Sequence, residues 1–236
     1  MEAIILAGGF GTRLSHIVSD VPKPMAPLKG YPFLKYIMDY LLEKEFNHII
    51  LAVGYKAQII QDYFGNNYQG INISYSIEDN PLGTGGAIKK ALNFCLEENV
   101  FIINGDTYFN VDLEKMNTFH SKNNSSLTVA IKSMDNFERY GAVIVEENLI
   151  KKFEEKKATI KGKINGGVYL MKKAVLDITN EKAFSFEKII LESKVVDIYA
   201  FEDDGYFIDI GVPEDYYKAQ KDFELENNTT INRSRC

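Results

Sequence analysis

The sequence has little of what several protein classes require. It contains two cysteines, Cys95 and Cys236, and three scattered histidines, so it predicts neither a disulfide framework nor a zinc site. No apolar run approaches the ~20 residues of a membrane-spanning helix, and no dense basic tract is present, which argues against membrane and nucleic-acid partners. No signal-peptide pattern precedes "MEAIILAGG", so we expect a cytoplasmic protein.

The composition is that of an ordinary globular protein with a sizeable core. Apolar residues make up 45% of the 236 residues and charged residues 25%. This length fits one α/β domain. The formal net charge is −6, so an anionic ligand would need placed cations and a metal ion to offset the repulsion.

The two halves of the chain differ in their hydrophobic pattern. In the first half, short apolar runs such as "AIILA", "HIILAV" and "VFIING" alternate with segments of helical period, "PFLKYIMDYLLEKEF", "KAQIIQDYF" and "TGGAIKKALNFCLEE". This alternation predicts a parallel sheet covered on both faces, with ligands at the carboxyl ends of its strands. "LAGGFGTR" and "NGDT" both lie at such ends.

The second half contains more strand-like pieces and fewer helices, which predicts an extension of the same sheet and not a separate domain. "VDIYAFEDDGYFIDIG" is interpreted as a hairpin that turns at Asp204-Gly205. A last helix is expected to begin at Pro213. Residues 226–236 are expected to be a frayed tail.

The loop in "ILAGGFGTRL" is glycine-rich and lies between a strand and a helix, where backbone N–H groups can hold a phosphate. It does not match the dinucleotide fingerprint G-x-G-x-x-G, because Leu14 occupies the third glycine position. It does not match the P-loop either, because Arg13 stands where that motif requires glycine. From the loop alone, a phosphate cradle and a tight turn without ligand both stay open.

A set of motifs in order along nearly the whole chain resolves the choice: "LAGGFGTRL", "VPKPM", "EDNPLGTGGAI", "NGDT", "FEEK", "NGGVYL" and "IDIGVPEDY". Together they resemble the sugar-1-phosphate nucleotidyltransferases, which join a nucleoside triphosphate to a sugar 1-phosphate and release pyrophosphate. The resemblance implies a Rossmann-like mixed, mostly parallel central sheet flanked by helices, without the left-handed β-helix of longer members. It also implies a single domain with a nucleotide-binding half (1–110) and a sugar-phosphate-binding half (111–225).

The resemblance assigns roles to residues of the first half and to one distant aspartate. Arg13, Lys23 and Asp106 would be catalytic, and Asp106 and Asp209 would hold Mg²⁺, which prefers oxygen ligands and bridges phosphates. A forked guanidinium suits two phosphate oxygens at once. The nucleotide-binding residues would be Leu6, Ala7, Gly8, Gly9, Gly11, Thr12, Glu78 and Gly83.

By the same resemblance, five residues of the second half would contact the sugar phosphate: Glu155, Lys156, Asn165, Gly166 and Glu187. The family lysine usually stands in "EKP", whereas here Lys157 replaces the proline after Lys156. The family lysine could therefore correspond to Lys156 or to a position one residue away.

Glu78 bears on the choice of base. A carboxylate accepts two hydrogen bonds side by side, which suits the N1–H and N2–H₂ edge of guanine, whereas the glutamine common in thymidylyl members suits thymine or uracil. The sequence therefore favours GTP. In its compact length and in "PLGTGGAIKKAL" the chain resembles short guanylyl members that act on D-glycero-alpha-D-manno-heptose 1-phosphate, and the resemblance implies this sugar. Uridylyl or thymidylyl transfer, and mannose, N-acetylmuramate or glucose 1-phosphate, stay open.

Two other classes of protein are considered. A glycosyltransferase would place a D-x-D metal motif after the middle strand, and "NGDTYFN" lacks one. A non-catalytic nucleotide-sugar-sensing paralogue would tend to lose Arg13, Lys23, Asp106 or Asp209, and all four are present. The sequence leaves the oligomeric state open, a homo-oligomer included.

Overall fold

The computed structural model describes residues 1–9, 14 and 18–233, with side chains up to residue 223. Five α-helices are present in these residues: α1 Phe33–Glu43, α2 Ala57–Phe64, α3 Gly83–Ala91, α4 Leu113–Lys122 and α5 Pro213–Arg233. The strands are β1 Glu2–Leu6, β2 Pro27–Leu28, β3 Tyr31–Pro32, β4 His48–Val53, β5 Asn67–Tyr68, β6 Ile71–Ile77, β7 Asn99–Asn104, β8 Thr107–Phe109, β9 Leu127–Phe137, β10 Gly141–Glu146, β11 Leu149–Lys156, β12 Thr159–Lys172, β13 Ile198–Glu202 and β14 Phe207–Asp209.

Ten of the strands form one mixed sheet in the order β10-β11-β13-β9-β12-β7-β1-β4-β6-β5. The four strands β7, β1, β4 and β6 are mutually parallel, as the alternation of apolar runs and helices predicts. Strand β12 pairs antiparallel with β7 and joins the strands of the second half to this parallel part. The prediction that the second half extends the same sheet is therefore confirmed.

Both faces of the sheet are buried, because alternate residues of each central strand enter opposite cores. On β1, Ala3 and Ile5 pack in the core that also receives α1, α4 and α5, whereas Ile4 packs in the core under α3. All three residues are fully buried. Among the described residues, no helix is long and apolar enough to cross a bilayer.

The hairpin predicted at Asp204-Gly205 is wrong. Strand β13 runs parallel to β9 in the large sheet, whereas β14 pairs antiparallel with β8 in a separate two-stranded ribbon. The chain between them crosses the segment after β8 so closely that a Cβ on Gly205 would lie 1.8 Å from the carbonyl oxygen of Asn110. The glycine thus permits a crossover and not a hairpin turn.

The end of one helix differs from the prediction. The helical spacing of "TGGAIKKALNFCLEE" extends beyond α3, which ends at Ala91 and is followed by a 3₁₀ turn at Leu92–Phe94. The N–H groups of Leu96 and Glu97 donate to the Glu2 carboxylate, each at 2.7 Å, so they are not available to continue the helix.

The last helix begins at Pro213, as expected, and α5 extends to Arg233. The frayed tail expected over residues 226–236 stays a prediction.

Candidate active site

A cavity of about 600 Å³ opens at the carboxyl ends of β1, β4 and β7. This is the edge of a parallel sheet at which α/β proteins bind ligands, and the volume is in the range of small-molecule sites. Residues from both halves of the chain line it: Leu6, Gly8, Gly9, Lys23, Pro24, Gly54, Tyr55, Glu78, Asp79, Asn80, Pro81, Gly83, Thr84, Ala87, Asn104, Asp106, Glu187 and Gly211.

Lys23 and Asp106 line one end of this cavity, and Asp209 lies next to Lys23 without lining the cavity itself. The Lys23 Nζ atom lies 2.5 Å from Asp106 Oδ2 and 3.8 Å from Asp209 Oδ1. The two aspartates are brought together by the β8–β14 ribbon, in which Asp209 pairs with Thr107, the residue after Asp106. Lys23 stands in a 3₁₀ turn flanked by Pro22 and Pro24, and its side chain is only 14% exposed.

The aspartate pair has an unfavourable charge balance. Burial raises the pKa of Asp209, and the neighbouring Asp106 charge raises this pKa further, against the opposing effects of Lys23 and the Gly211 N–H. That N–H donates to Asp209 Oδ1 at 2.6 Å, and a Cβ on Gly211 would come within 2.8 Å of the same oxygen. A single ammonium group thus faces two carboxylates, and the pair retains an attraction for further positive charge.

The donor set fits a magnesium ion that is completed by a ligand. Mg²⁺ is commonly bound through one or two carboxylates, with phosphates and waters supplying the other oxygens. The Lys23 ammonium already lies within 4 Å of both carboxylates, which shows that a cation can reach them together. Among the described residues, no group of three or more His, Cys, Asp or Glu side chains could hold a metal alone. Asp106 and Asp209 therefore fit a shared metal and not a closed protein cage.

The cavity as a whole is acidic on its described walls. Four acidic residues line it, Glu78, Asp79, Asp106 and Glu187, against the single cation Lys23 among the described lining residues. A polyphosphate would meet net repulsion there unless it brought or met additional positive charge. This electrostatic balance is an independent reason to expect a divalent cation with the ligand.

At the other end, Glu78 closes the cavity against the first glycines of the "LAGGFGTRL" loop. Glu78 Oε2 accepts a hydrogen bond from the Leu82 N–H at 2.9 Å. A Cβ on Gly8 would lie 3.0 Å from Glu78 Oε1 and 3.3 Å from the Gly54 nitrogen. Gly8 thus allows β1, the residue after β4 and the Glu78 carboxylate to approach one another.

The third side of the cavity holds Glu187, the first residue of a π-helical turn at Glu187–Glu192. Its Oε2 atom accepts hydrogen bonds from Thr84 Oγ1 at 2.6 Å and from Ser185 Oγ at 2.7 Å. Single-turn π segments are frequent at functional sites. The contact between Glu187 and Thr84 joins this turn to the start of α3.

Several predicted residues are not among those that line this cavity. Ala7 is fully buried, and its N–H donates to the Ala52 carbonyl at 2.8 Å. Glu155 and Lys156 are exposed at the end of β11, where Lys156 pairs with Gly141 of β10. Their contact with a sugar phosphate stays a prediction.

Asn165 and Gly166 have local structural roles. Asn165 donates to the Tyr169 hydroxyl at 2.8 Å and accepts from the Gly167 N–H at 2.9 Å. A Cβ on Gly166 would lie 2.4 Å from the Phe109 ring, so a glycine is needed for β12 to pack on β8. These contacts give both residues a structural role, and their contact with a sugar phosphate stays a prediction.

Gly11, Thr12 and Arg13 lie outside the described residues, and their assignment stays a prediction. Asn104 and Thr84 are among the cavity residues that sequence reasoning missed. Asn104 ends β7 two residues before Asp106, and Thr84 stands inside "PLGTGG", so their positions in the motifs were the available signal. The part played by Thr84 depends on a residue 103 positions away, which no local pattern indicates.

Comparison with known proteins agrees with this geometry. The family profile described as Nucleotidyl transferase matches residues 2–226. The chain is 52% identical over 227 residues to the D-glycero-alpha-D-manno-heptose 1-phosphate guanylyltransferase of Aneurinibacillus thermoaerophilus, covering 95% of this chain and 99% of that protein. It is 49% identical over 220 residues to the protein of the same name from Campylobacter jejuni, covering 92% and 97%.

Among solved structures, the chain is similar to HddC from Yersinia pseudotuberculosis complexed with GMP-PN. The two superpose with a TM-score of 0.85 at 38% identity, covering 94% of this chain and 99% of that chain. The sheet with its flanking helices is therefore shared with that protein.

Proposed function

The chain belongs to the nucleotidyl transferase family, and from this premise we propose that it joins GTP to D-glycero-alpha-D-manno-heptose 1-phosphate, giving GDP-heptose and pyrophosphate. That it is a sugar-1-phosphate nucleotidyltransferase follows from curated relatives at about half identity over nearly the full length of both chains. The observation that carries the proposal is one cavity that Lys23, Asp106, Glu78 and Glu187 all line, with Asp209 beside Lys23 at its edge.

The reaction is an in-line displacement at the α-phosphorus. An oxygen of the sugar phosphate attacks, and pyrophosphate leaves on the opposite side. Attacker and target are both anions, so positioning and charge neutralisation supply most of the catalysis. Lys23, pre-positioned between two prolines, would move its ammonium from the aspartates to a phosphate oxygen, and Arg13 would contact the departing pyrophosphate.

Asp106 and Asp209 would hold the magnesium ion. When bound, the ion would neutralise charge on the phosphates and polarise the phosphoryl group under attack. The glycines of the chain provide the space around the phosphates. Gly8 and Gly9 line the cavity at the end of β1 without side chains that would fill it. Gly211 leaves room beside Asp209 and Lys23.

Glu78 would read the base. Each carboxylate oxygen can accept two hydrogen bonds. The Leu82 N–H uses one position on Oε2, so this oxygen and Oε1 can still accept the N1–H and N2–H₂ donors of guanine together. The Leu82 contact also fixes the carboxylate in its plane before the nucleotide arrives.

The test is a matrix of GTP, ATP, CTP, UTP and dTTP against a panel of sugar 1-phosphates, with pyrophosphate release as the readout. We expect the highest kcat/KM for GTP with D-glycero-alpha-D-manno-heptose 1-phosphate, and no release without a divalent cation. A clear preference for another sugar or base would replace the substrates proposed here, and silence with every pair would refute the assignment as an active enzyme.

Glu78→Gln sharpens the same test. We expect the kcat/KM ratio of GTP over UTP to fall by about tenfold, because one acceptor that faces the guanine edge becomes a donor. Asp79→Asn is the matched control, since it removes a neighbouring cavity charge and should leave the base preference unchanged. An unchanged ratio in Glu78→Gln would assign base selection to other residues.

The alternatives are weaker on stated grounds. For uridylyl or thymidylyl transfer, the Glu78 carboxylate would have no donor to offer the carbonyl groups of uracil or thymine. A sensing paralogue would not need the Lys23-Asp106-Asp209 cluster, which is present. We also expect action in the cytoplasm on small molecules, without a nucleic-acid or membrane partner, and a homo-oligomer is compatible with the proposal.

A further inference from the structure

The start of α3 is joined to the segment before the π turn by a set of close backbone contacts. The Gly85 N–H donates to the Phe184 carbonyl at 2.9 Å, and the Phe184 N–H donates to the Leu82 carbonyl at 2.8 Å. A Cβ on Gly83 would lie 2.5 Å from the Phe184 carbonyl oxygen, and Gly83 has a φ of +68°. The two segments are therefore tied together by backbone hydrogen bonds, although about a hundred residues separate them in the sequence.

Thr84 lies at the centre of this junction. Its hydroxyl donates to Glu187 Oε2 at 2.6 Å and accepts from the Phe186 N–H at 2.9 Å. Ser185 donates to the same Glu187 oxygen at 2.7 Å. Both donors act on Oε2, and Oε1 has no hydrogen-bond partner among the described residues. The carboxylate is thus held by one edge, and Oε1 remains as an acceptor.

A carboxylate held in this way is pre-organised for a hydroxyl donor. A free glutamate must lose side-chain rotamer freedom when it binds, and prior hydrogen bonds remove part of this cost. Thr84 and Glu187 both line the cavity, together with Gly83 next to the base-side loop. The acceptor for the sugar is therefore oriented from the nucleotide-binding half of the chain.

We infer that Thr84 is a positioning residue for the sugar: it orients Glu187 so that Oε1 faces a hydroxyl of the sugar 1-phosphate. This inference rests on the proposed function, since it takes Glu187 as a sugar contact. It adds a residue of the nucleotide-binding half to the sugar subsite, and it predicts that the nucleotide subsite itself is unaffected.

The experiment measures KM for GTP, KM for the sugar 1-phosphate and kcat in Thr84→Val and Thr84→Ser. Valine keeps the shape but removes the hydroxyl, so we expect KM for the sugar phosphate to rise by about tenfold, the loss typical of one hydrogen bond to a charged group. KM for GTP should change by less than about twofold, and serine should restore the sugar KM. An equal rise in both KM values, or no rise, would overturn the inference.

A double-mutant cycle with Glu187→Gln separates positioning from a general packing effect. If Thr84 acts through Glu187, Thr84→Val should add little to the sugar KM of Glu187→Gln. Multiplicative effects would show that Thr84 acts independently and would overturn the inference. Ser185→Ala is the matched control, because it removes a donor to the same oxygen without breaking the link to α3, and its effect on the sugar KM should be smaller.

Two further measurements make the result interpretable if a variant does not fold or if the substrate differs. If Thr84→Val does not fold, Thr84→Ala is measured in the same way. If the wild-type protein prefers a sugar other than heptose, the variants are compared on that sugar. In that case the proposed substrate is wrong while the inference about Thr84 is still tested. Wild-type transfer with an unchanged sugar KM in the variants would refute the inference alone.

Discussion

Each end of the parallel strands carries a cluster of charged and polar side chains that includes partly or fully buried carboxylates. At one end the protein stabilises the carboxylate charge, and at the other end it does not. At the amino ends, Glu2 of β1 accepts from the Leu96 and Glu97 N–H groups and lies 2.7 Å from His48 Nδ1. The other His48 nitrogen lies 2.9 Å from Ser74 Oγ. Every oxygen of this buried glutamate is thus satisfied by the protein.

At the carboxyl ends, the Lys23-Asp106-Asp209 cluster is incomplete. The pKa of Glu2 is lowered although burial alone would raise it, because His48 and two N–H groups stabilise the charged form. The pKa of Asp209 is raised, because burial and the Asp106 charge outweigh Lys23. The first cluster therefore stabilises the fold, whereas the second is short of positive charge, and we expect a ligand to supply that charge.

The largest expected effect comes from breaking the carboxyl-end cluster. Asp106→Asn should lower kcat by about 10³-fold or more, because it removes one of two carboxylates that face the phosphates. The melting temperature should stay within a few degrees, since a repulsion between carboxylates is removed at the same time. Asp177→Asn, which removes one exposed charge elsewhere, should leave both quantities unchanged. A near wild-type kcat for Asp106→Asn would remove this residue from the site.

The amino-end cluster should respond in the opposite way. Glu2→Gln should lower the free energy of unfolding by about 2–3 kcal/mol in urea titrations, because buried charge-assisted hydrogen bonds are lost. The kcat of the folded enzyme should not change. Glu98→Gln, an exposed neighbour, is the control for charge removal. A loss of kcat without loss of stability would reverse the distinction between the two ends.

The same residue predicts a pH dependence. The pKa of Glu2 is lower in the folded protein than the ordinary value of 4.5. Its stabilising contribution is therefore fully present above about pH 4.5 and is lost as the pH falls through the folded-state pKa. The gap in unfolding free energy between wild type and Glu2→Gln should narrow on acidification below that value, and a constant gap would contradict the assignment.

A smaller effect concerns the competition between the Lys23 ammonium and a metal ion for the two aspartates of the carboxyl-end cluster. Lys23→Met should increase the affinity of the nucleotide-free protein for Mn²⁺ by about tenfold, because the ammonium that competes for both aspartates is gone. Electron paramagnetic resonance of free Mn²⁺ measures this affinity without turnover. Lys35→Met, which breaks an ion pair with Asp39 away from the cavity, is the matched control. An unchanged Mn²⁺ affinity would show that Lys23 does not compete with a metal.

The sequence predicted the parallel part of the sheet and the place of the cavity, because buried strands and the loops at their carboxyl ends are local patterns. It also paired Asp106 with Asp209 through the family resemblance, and the two side chains share the Lys23 ammonium. The hairpin at Asp204-Gly205 was wrong, because its turn signal is local whereas the crossover depends on the close approach of Gly205 to Asn110.

The sequence by itself thus determined the parallel part of the sheet through its hydrophobic periodicity. Its short motifs determined the family, and with it the mixed sheet and the residue types needed at a phosphate site. Only the tertiary structure decided that Glu187 accepts a hydrogen bond from Thr84 and that Glu2 accepts one from the Leu96 N–H, near the end of the helical pattern. These outcomes depend on contacts between segments far apart in the chain, and local patterns carry no information about which distant partner a polar group will find.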